Sequence, residues 1–283
     1  MKFKVFSELQ YQVLMPSTFI FNIQLSRTSS QSIIEETLLI DPFYPMEDFT
    51  SQDGQTRFIK LQIKDPVTFK ISYSAIADSY YRIINESQDL NYVPVGKLNA
   101  DIILYIFSSR YCESDKLQKL ANRQFGKIEK TYLKVLAINE WIYNNVEYIG
   151  GSTNSGTSAI DTLTERAGVC RDFAHLGIAL CRALSIPARY FTGYSYMLIP
   201  QDFHACFEAY IGGEWIIFDP TMLVPLNGLI KISHGRDAAD ASVASIFGNT
   251  ICTSIHVNCQ CIDAGFQYYD YATRKNWEGM SLQ

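Results

Sequence analysis

Apolar and polar residues alternate over much of the first hundred positions. Leu9–Val13, Phe19–Leu25, Ser32–Ile40, Arg57–Ile63 and Val67–Ala77 carry period-two or short apolar runs. That spacing puts one face of a strand in a core and the other in water. Turn residues such as Asp41-Pro42 and Asp53-Gly54 separate the runs. Pro16, Pro42, Pro45 and Pro66 fall between runs or at their ends, where a missing N–H breaks no ladder. Strands spaced in this way with no helix between them predict an antiparallel sandwich.

The period then changes. Ser108–Phe125 is polar and reads as a linker with one short helix. Ile128–Val146 has helical spacing at Ile128, Tyr132, Val135, Leu136, Trp141 and Ile142. Gly150–Gly156 is a Gly/Ser/Thr loop. Ser158 can cap a short helix running to Arg166, with Gly168 where a C-terminal glycine cap would fall. Cys170–Ser185 is a helix with a wide apolar face (Phe173, Leu176, Ile178, Leu180, Leu184), as in a buried helix, and Pro187 ends it. Alternation returns in Arg189–Met197, Phe203–Ile211 and Glu214–Phe218. The expected class is α+β: an N-terminal antiparallel β-sandwich-like domain over 1–107, then helices followed by a second antiparallel sheet over 108–283.

Composition narrows the function. The 283 residues carry 24 Lys+Arg against 29 Asp+Glu, a formal charge of −5, and 47% are hydrophobic. That length favours two domains and that apolar content supports a packed core. Mild acidity argues against a nucleic-acid partner. No apolar run approaches the length of a bilayer span, and Met1–Glu8 lacks the apolar stretch of a secretory leader, so neither a membrane partner nor export is expected. The seven cysteines are odd in number and contain no CxxC, which suits a reducing compartment and a cytoplasmic location and offers no zinc site.

Cys170 stands at the expected start of a helix, beside Arg171. A thiol there meets unpaired N–H groups and the positive end of the helix dipole. Taken alone it is equally a buried structural cysteine. Downstream, Gly212-Gly213 marks a two-residue hairpin loop. With Ile211 opposite Glu214, Asp219 falls opposite Cys206, and His204 lies two residues along on the same face. The diagonal separation of His204 and Asp219 is then roughly 7–8 Å at Cα, within side-chain reach. A three-residue loop would turn Asp219 to the other face. A thiol, an imidazole and an orienting carboxylate are what thiol catalysis needs. Asp219-Pro220 also serves simply as a strand terminator.

The run Ala167-Gly168-Val169-Cys170-Arg171-Asp172-Phe173-Ala174-His175-Leu176 resembles the nucleophile motif of the bacterial transglutaminase-like cysteine proteases. Ile186-Pro187-Ala188-Arg189-Tyr190, Gly193-Tyr194, His204-Ala205, Trp215, Phe218-Asp219-Pro220-Thr221 and Gly235-Arg236-Asp237-Ala238-Ala239-Asp240 are similar to its later segments. The matches cover about residues 108 to 240. The resemblance implies a papain-like core with Cys170 as nucleophile, His204 as general acid/base and Asp219 as orienting carboxylate, acting on a peptide or protein substrate with no metal or organic cofactor. It leaves the oligomeric state open. The backbone N–H of Cys170 can serve an oxyanion hole; the sequence identifies no second donor, and Tyr148, on the extended stretch after the long helix, is named without a motif behind it. One departure is Cys206, where the family usually has an aromatic residue.

Other residues carry weaker cases. His175 falls about 140° around the helix from Cys170, poorly placed for a base. Arg171 and Asp172 can pair locally, and Arg236-Asp237 reads as a structural ion pair. Tyr190, Tyr194 and Tyr196 read as core or cleft wall. Glu35-Glu36 and Asp237 with Asp240 are too sparse for a calcium cage. Thioester hydrolysis is the expected chemistry. Acyl transfer to an amine (a true transglutaminase) and a non-catalytic peptide-binding scaffold are the alternatives.

Overall fold

A computed structural model describes residues 1–85, 92–269 and 278–282. The N-terminal strands are β1 (Lys2–Val13), β2 (Ser17–Phe21), β3 (Gln31–Asp41), β4 (Met46–Thr50), β5 (Arg57–Ile63), β6 (Val67–Ser79) and β7 (Arg82–Ile84). A short helix α1 (Ala100–Ile103) leads to α2 (Ser114–Phe125), α3 (Thr131–Asn145), β8 (Glu147–Tyr148), α4 (Ala159–Glu165), β9 (Ala167–Gly168) and α5 (Cys170–Ala183). Then come β10 (Ala188–Ser195), β11 (Phe203–Ile211), β12 (Glu214–Phe218), β13 (Leu229–Gly235), α6 (Ala238–Ala241), β14 (Ala244–Phe247), β15 (Thr250–Cys261) and β16 (Gly279–Ser281). None of the described helices is long and apolar enough to cross a membrane.

The alternating N-terminal runs form two four-stranded sheets, β15-β1-β6-β3 and β14-β2-β5-β4. Phe3, Val5, Phe19, Phe21, Ile59, Leu61, Phe69 and Ile71 fill the space between them. The two edge strands β14 and β15 come from the far end of the chain, so the division at 107/108 is corrected in one respect: residues 244–261 belong with the N-terminal sheets. The Phe19–Leu25 run is a strand only to Phe21. Beyond it the chain crosses to the second sheet, where Ser26 N–H donates to Lys231 O at 2.9 Å. The core continues across that junction through Tyr194, Ile230 and Ile232.

The second sheet has the order β12-β11-β10-β13, and α5 packs across β11 and β10. Twelve of the fourteen residues of α5 are buried, as its wide apolar face requires. A Cβ at Gly177 would stand 2.5 Å from the Phe207 ring, so helix and strand meet at glycine distance. Across the same strands Arg189, Glu208 and Lys231 form a buried charge cluster, with Arg189 Nε 2.7 Å and Lys231 Nζ 3.0 Å from Glu208 Oε2. Burial opposes the Glu208 charge, but Arg189 and Lys231 override it and hold the carboxyl down at about 2.

Residues 108–125 are more ordered than a linker. Leu117, Ala121 and Phe125 form a one-residue-wide buried stripe along α2, too narrow to stand out among polar neighbours. Ser158 does cap α4, in a reciprocal box with Asp161. The left-handed residue that ends α4 is Arg166 (φ 54), not Gly168.

Candidate active site

The Cys170 end of α5 is built by its neighbours. Parallel pairing places Tyr148 beside Gly168, and Ile149 N–H donates to Gly168 O at 3.0 Å. Gly168 is small for a reason: a Cβ there would lie 2.8 Å from that of Asp172. Asp172 reaches back over the helix start, its Oδ2 accepting from Val169 N–H at 2.9 Å and Thr153 Oγ1 at 2.7 Å. Arg171 pairs with Asp172 Oδ1 at 2.8 Å and donates to Asn154 O at 2.7 Å, so its charge serves the helix start and the 150–156 loop. Cys170 is the first helical residue and is partly exposed. Burial, with a contribution from Cys170, pushes the Tyr148 hydroxyl up to about 12, and the Cys170 backbone N–H acts in the opposite direction.

The hairpin follows the register read from Gly212-Gly213. Ile211 faces Glu214, Phe207 faces Phe218, and both glycines have positive φ (61° and 89°), as the tight turn requires. One step beyond the ladder, His204 Nε2 lies 2.9 Å from Asp219 Oδ2, with both side chains fully buried. Asp219 Oδ1 accepts from Thr221 N–H at 2.9 Å and Thr221 Oγ1 at 2.7 Å. Burial alone would disfavour the imidazolium. The Asp219 carboxylate, assisted by Cys206 and Cys170, overrides it and raises the His204 pKa well above its ordinary value. With Nε2 committed to Asp219, Nδ1 is the nitrogen left; it is buried and has no regular hydrogen bond. The Cys170 thiol is within interaction range of the ring. Cys170 and His204 line one cleft of about 360 Å³ with Tyr190, Thr192, Asp202 and Ala205.

Such a cleft holds a partly exposed thiol at a helix N-terminus, a buried imidazole and a carboxylate fixed from behind. Family models match both parts of the chain: the bacterial transglutaminase N-terminal domain over residues 1–101 and the transglutaminase-like superfamily over 118–220. A crystal structure from Cytophaga hutchinsonii, described as a "putative cysteine protease", is 61% identical over 100% of this chain and 98% of that one, with a TM-score of 0.97. The chain belongs to the transglutaminase-like superfamily. An uncharacterized Mycobacterium leprae protein is 33% identical over 145 residues, 48% of this chain and 52% of that protein. One from Mycobacterium tuberculosis is 34% identical over 115 residues, 35% and 36% of the two chains. The match thus spans about half, and about a third, of these relatives' lengths.

Within this transglutaminase-like cleft the structure brings Cys170, His204 and Asp219 together with Tyr148. Cys206 lies beneath them: its sulfur and the ligand atoms of His204 and Asp219 are within 4.8 Å of one another. Within the trio the His204–Asp219 hydrogen bond at 2.9 Å joins the facing atoms, and burial pushes the Cys206 thiol up to about 12. His175 lies in the core, stacked on Tyr111 with Tyr190 tilted against it, and its Nε2 accepts from Ala238 N–H at 3.1 Å. Burial and nearby Arg171 drop its pKa to about 3, so it stays neutral.

The expected Arg236-Asp237 ion pair is corrected. Arg236 pairs with Asp240 at 2.8 Å, four residues on. Asp237 instead caps α6, accepting from Ala239 N–H, and takes Tyr111 N–H at 2.9 Å. Adjacent residues point apart at the start of a helical turn, whereas i and i+4 meet. Thr221 was visible only as part of a motif; an Asp-Pro-Thr run after a strand is itself a signal for an Asp side chain bonding two residues on.

Proposed function

We propose that this protein cleaves a peptide or amide bond through a thioester on Cys170. The sulfur attacks the carbonyl carbon, and His204 receives the thiol proton and passes it to the departing amine. Water, deprotonated by His204, then resolves the thioester and frees Cys170. Asp219 holds the ring and balances the imidazolium charge. The developing oxyanion stands at the Cys170 N–H, where the Tyr148 hydroxyl is placed to donate once substrate displaces it.

The observation carrying this reading is the His204–Asp219 bond at 2.9 Å in a fully buried setting, which leaves Nδ1 to Cys170. The description of the Cytophaga relative as a "putative cysteine protease" supports it. A mixed peptide library incubated with the wild type and with Cys170→Ala tests it. Cleavage is expected with the wild type alone, and iodoacetamide should label Cys170 ahead of the buried Cys112, Cys181 and Cys206. Cleavage that persists in Cys170→Ala, or an inert Cys170, overturns the reading and favours a binding scaffold.

A further inference from the structure

The cleft does not stop at the catalytic sheet. Val243, Ala244 and Ile255 line it together with Cys170 and His204. Ala244 and Ile255 lie on β14 and β15, the edge strands of the two N-terminal sheets.

Among the described residues no strand pairs with β15 on the side away from β1. Ile262 N–H donates to Lys2 O at 2.9 Å, which fixes the bonding parity of the pair. Gln260, Asn258 and His256 therefore turn their backbone groups toward β1, and Cys261, Cys259, Val257 and Ile255 turn theirs outward. One outward N–H is already taken: Cys259 N–H donates to Gln201 Oε1 at 2.7 Å, a side chain standing where a neighbouring strand would be. No described residue bonds the main chain of Ile255 or Val257.

Side chains agree with the backbone. Ile255 pairs with Leu9 and Val257 with Ser7, all on the inward face of the sheet. Val257 and Cys259 are buried there, while Ile255, the next inward residue, is 48% exposed. An apolar side chain and unpaired main-chain groups thus meet at the cleft mouth, the arrangement that accepts an added strand.

We propose that the substrate is an extended polypeptide segment that adds as a strand to the free edge of β15 at Ile255–Val257, covers Ile255 with an apolar side chain and runs on into the cleft at Cys170. This rests on the role given to Cys170 above and narrows its substrate to unfolded or flexible chain. Most main-chain groups of a folded domain are already paired within it, so a flexible segment is the partner with a full row of groups to offer the edge.

Peptidyl chloromethyl ketones test this, because the Cys170 sulfur forms a thioether with the reagent's methylene as chloride leaves, whatever the natural acyl acceptor. Val-Ala and Val-Thr-Val-Thr-Val-Ala reagents are compared by their second-order rates of Cys170 labelling. The longer one is expected to react at least about tenfold faster, since it alone gains main-chain bonds to the edge. Single N-methyl groups walked along the longer reagent should remove that gain at every second residue. In Ile255→Pro, which deletes both the outward N–H and the apolar side chain that the substrate covers, the ratio of the two rates should fall to about one, with the thermal midpoint reporting on folding. The N-methyl series needs no variant at all. Equal rates for the two reagents, or an N-methyl effect without a two-residue period, overturn strand addition. Failure of both reagents to label Cys170 overturns the role of Cys170 instead.

Discussion

Replacing Asp219 with Asn removes one charge and leaves the shape of the side chain unchanged. Asp219 Oδ1 accepts two hydrogen bonds from Thr221, at 2.9 and 2.7 Å. An Asn amide therefore keeps its oxygen toward Thr221 and turns its NH₂ toward His204 Nε2. A ring that accepts at Nε2 carries its proton on Nδ1, and that tautomer cannot take the proton of Cys170. The charge loss adds to this. With charge centres about 4 Å apart and an effective dielectric of about 20, the carboxylate–imidazolium attraction is about 4 kcal/mol, roughly a thousandfold in rate. Asp219→Asn should thus lower kcat/KM by about 10³ or more, with a thermal midpoint close to that of the wild type because the Thr221 bonds persist.

The pH profile supplies an independent check. His204 is raised well above 6.5, so its imidazolium persists until the pH passes that raised value. Activity that needs the imidazolium to protonate the leaving amine should fall on that alkaline limb. With Asn, burial is the dominant remaining influence and depresses the pKa, so the limb should move to lower pH. The assay is kcat/KM across pH 5–10 on a peptide found in the library screen. A loss smaller than about tenfold, with the alkaline limb unmoved, would refute the assignment of Asp219.

Tyr148→Phe should lower kcat by about 10–100-fold with KM nearly unchanged, because an oxyanion donor acts in the transition state; an unchanged kcat removes Tyr148 from the site. Gly177→Ala should lower the thermal midpoint in a melting scan, because crowding Phe207 costs about 1–3 kcal/mol against a helix-propensity gain of about 1 kcal/mol; a stabilised variant would show that the ring can move aside. Activity should survive a chelator, and the thioester should pass to water even with a labelled primary amine at millimolar level. Dominant amine incorporation, or a strict calcium requirement, would move the assignment to acyl transfer.

Period-two and period-3.6 patterns, glycine turn chemistry and caps are local, and the chain alone carries them. The N-terminal sheets, α5 with Cys170 at its first position, the Ser158 cap and the hairpin register were all legible for that reason. So was the His204–Asp219 pairing, since side-chain parity along a hairpin follows from loop length. What the tertiary structure decided is long-range. Nothing local in β14 or β15 says that they add to the edges of the first two sheets 230 or more residues after β1. Gly168 looked like a helix cap because its actual constraint, the Asp172 side chain, is imposed by the helix that follows. Asp237 looked like Arg236's partner because sequence adjacency hides the direction in which each side chain points. Tyr148 reaches Cys170 only through the two-residue β8–β9 pairing, too short to leave a periodic trace. The burial that sets the proton affinity of His204 is a property of the packed layers around it, and no window of sequence contains it.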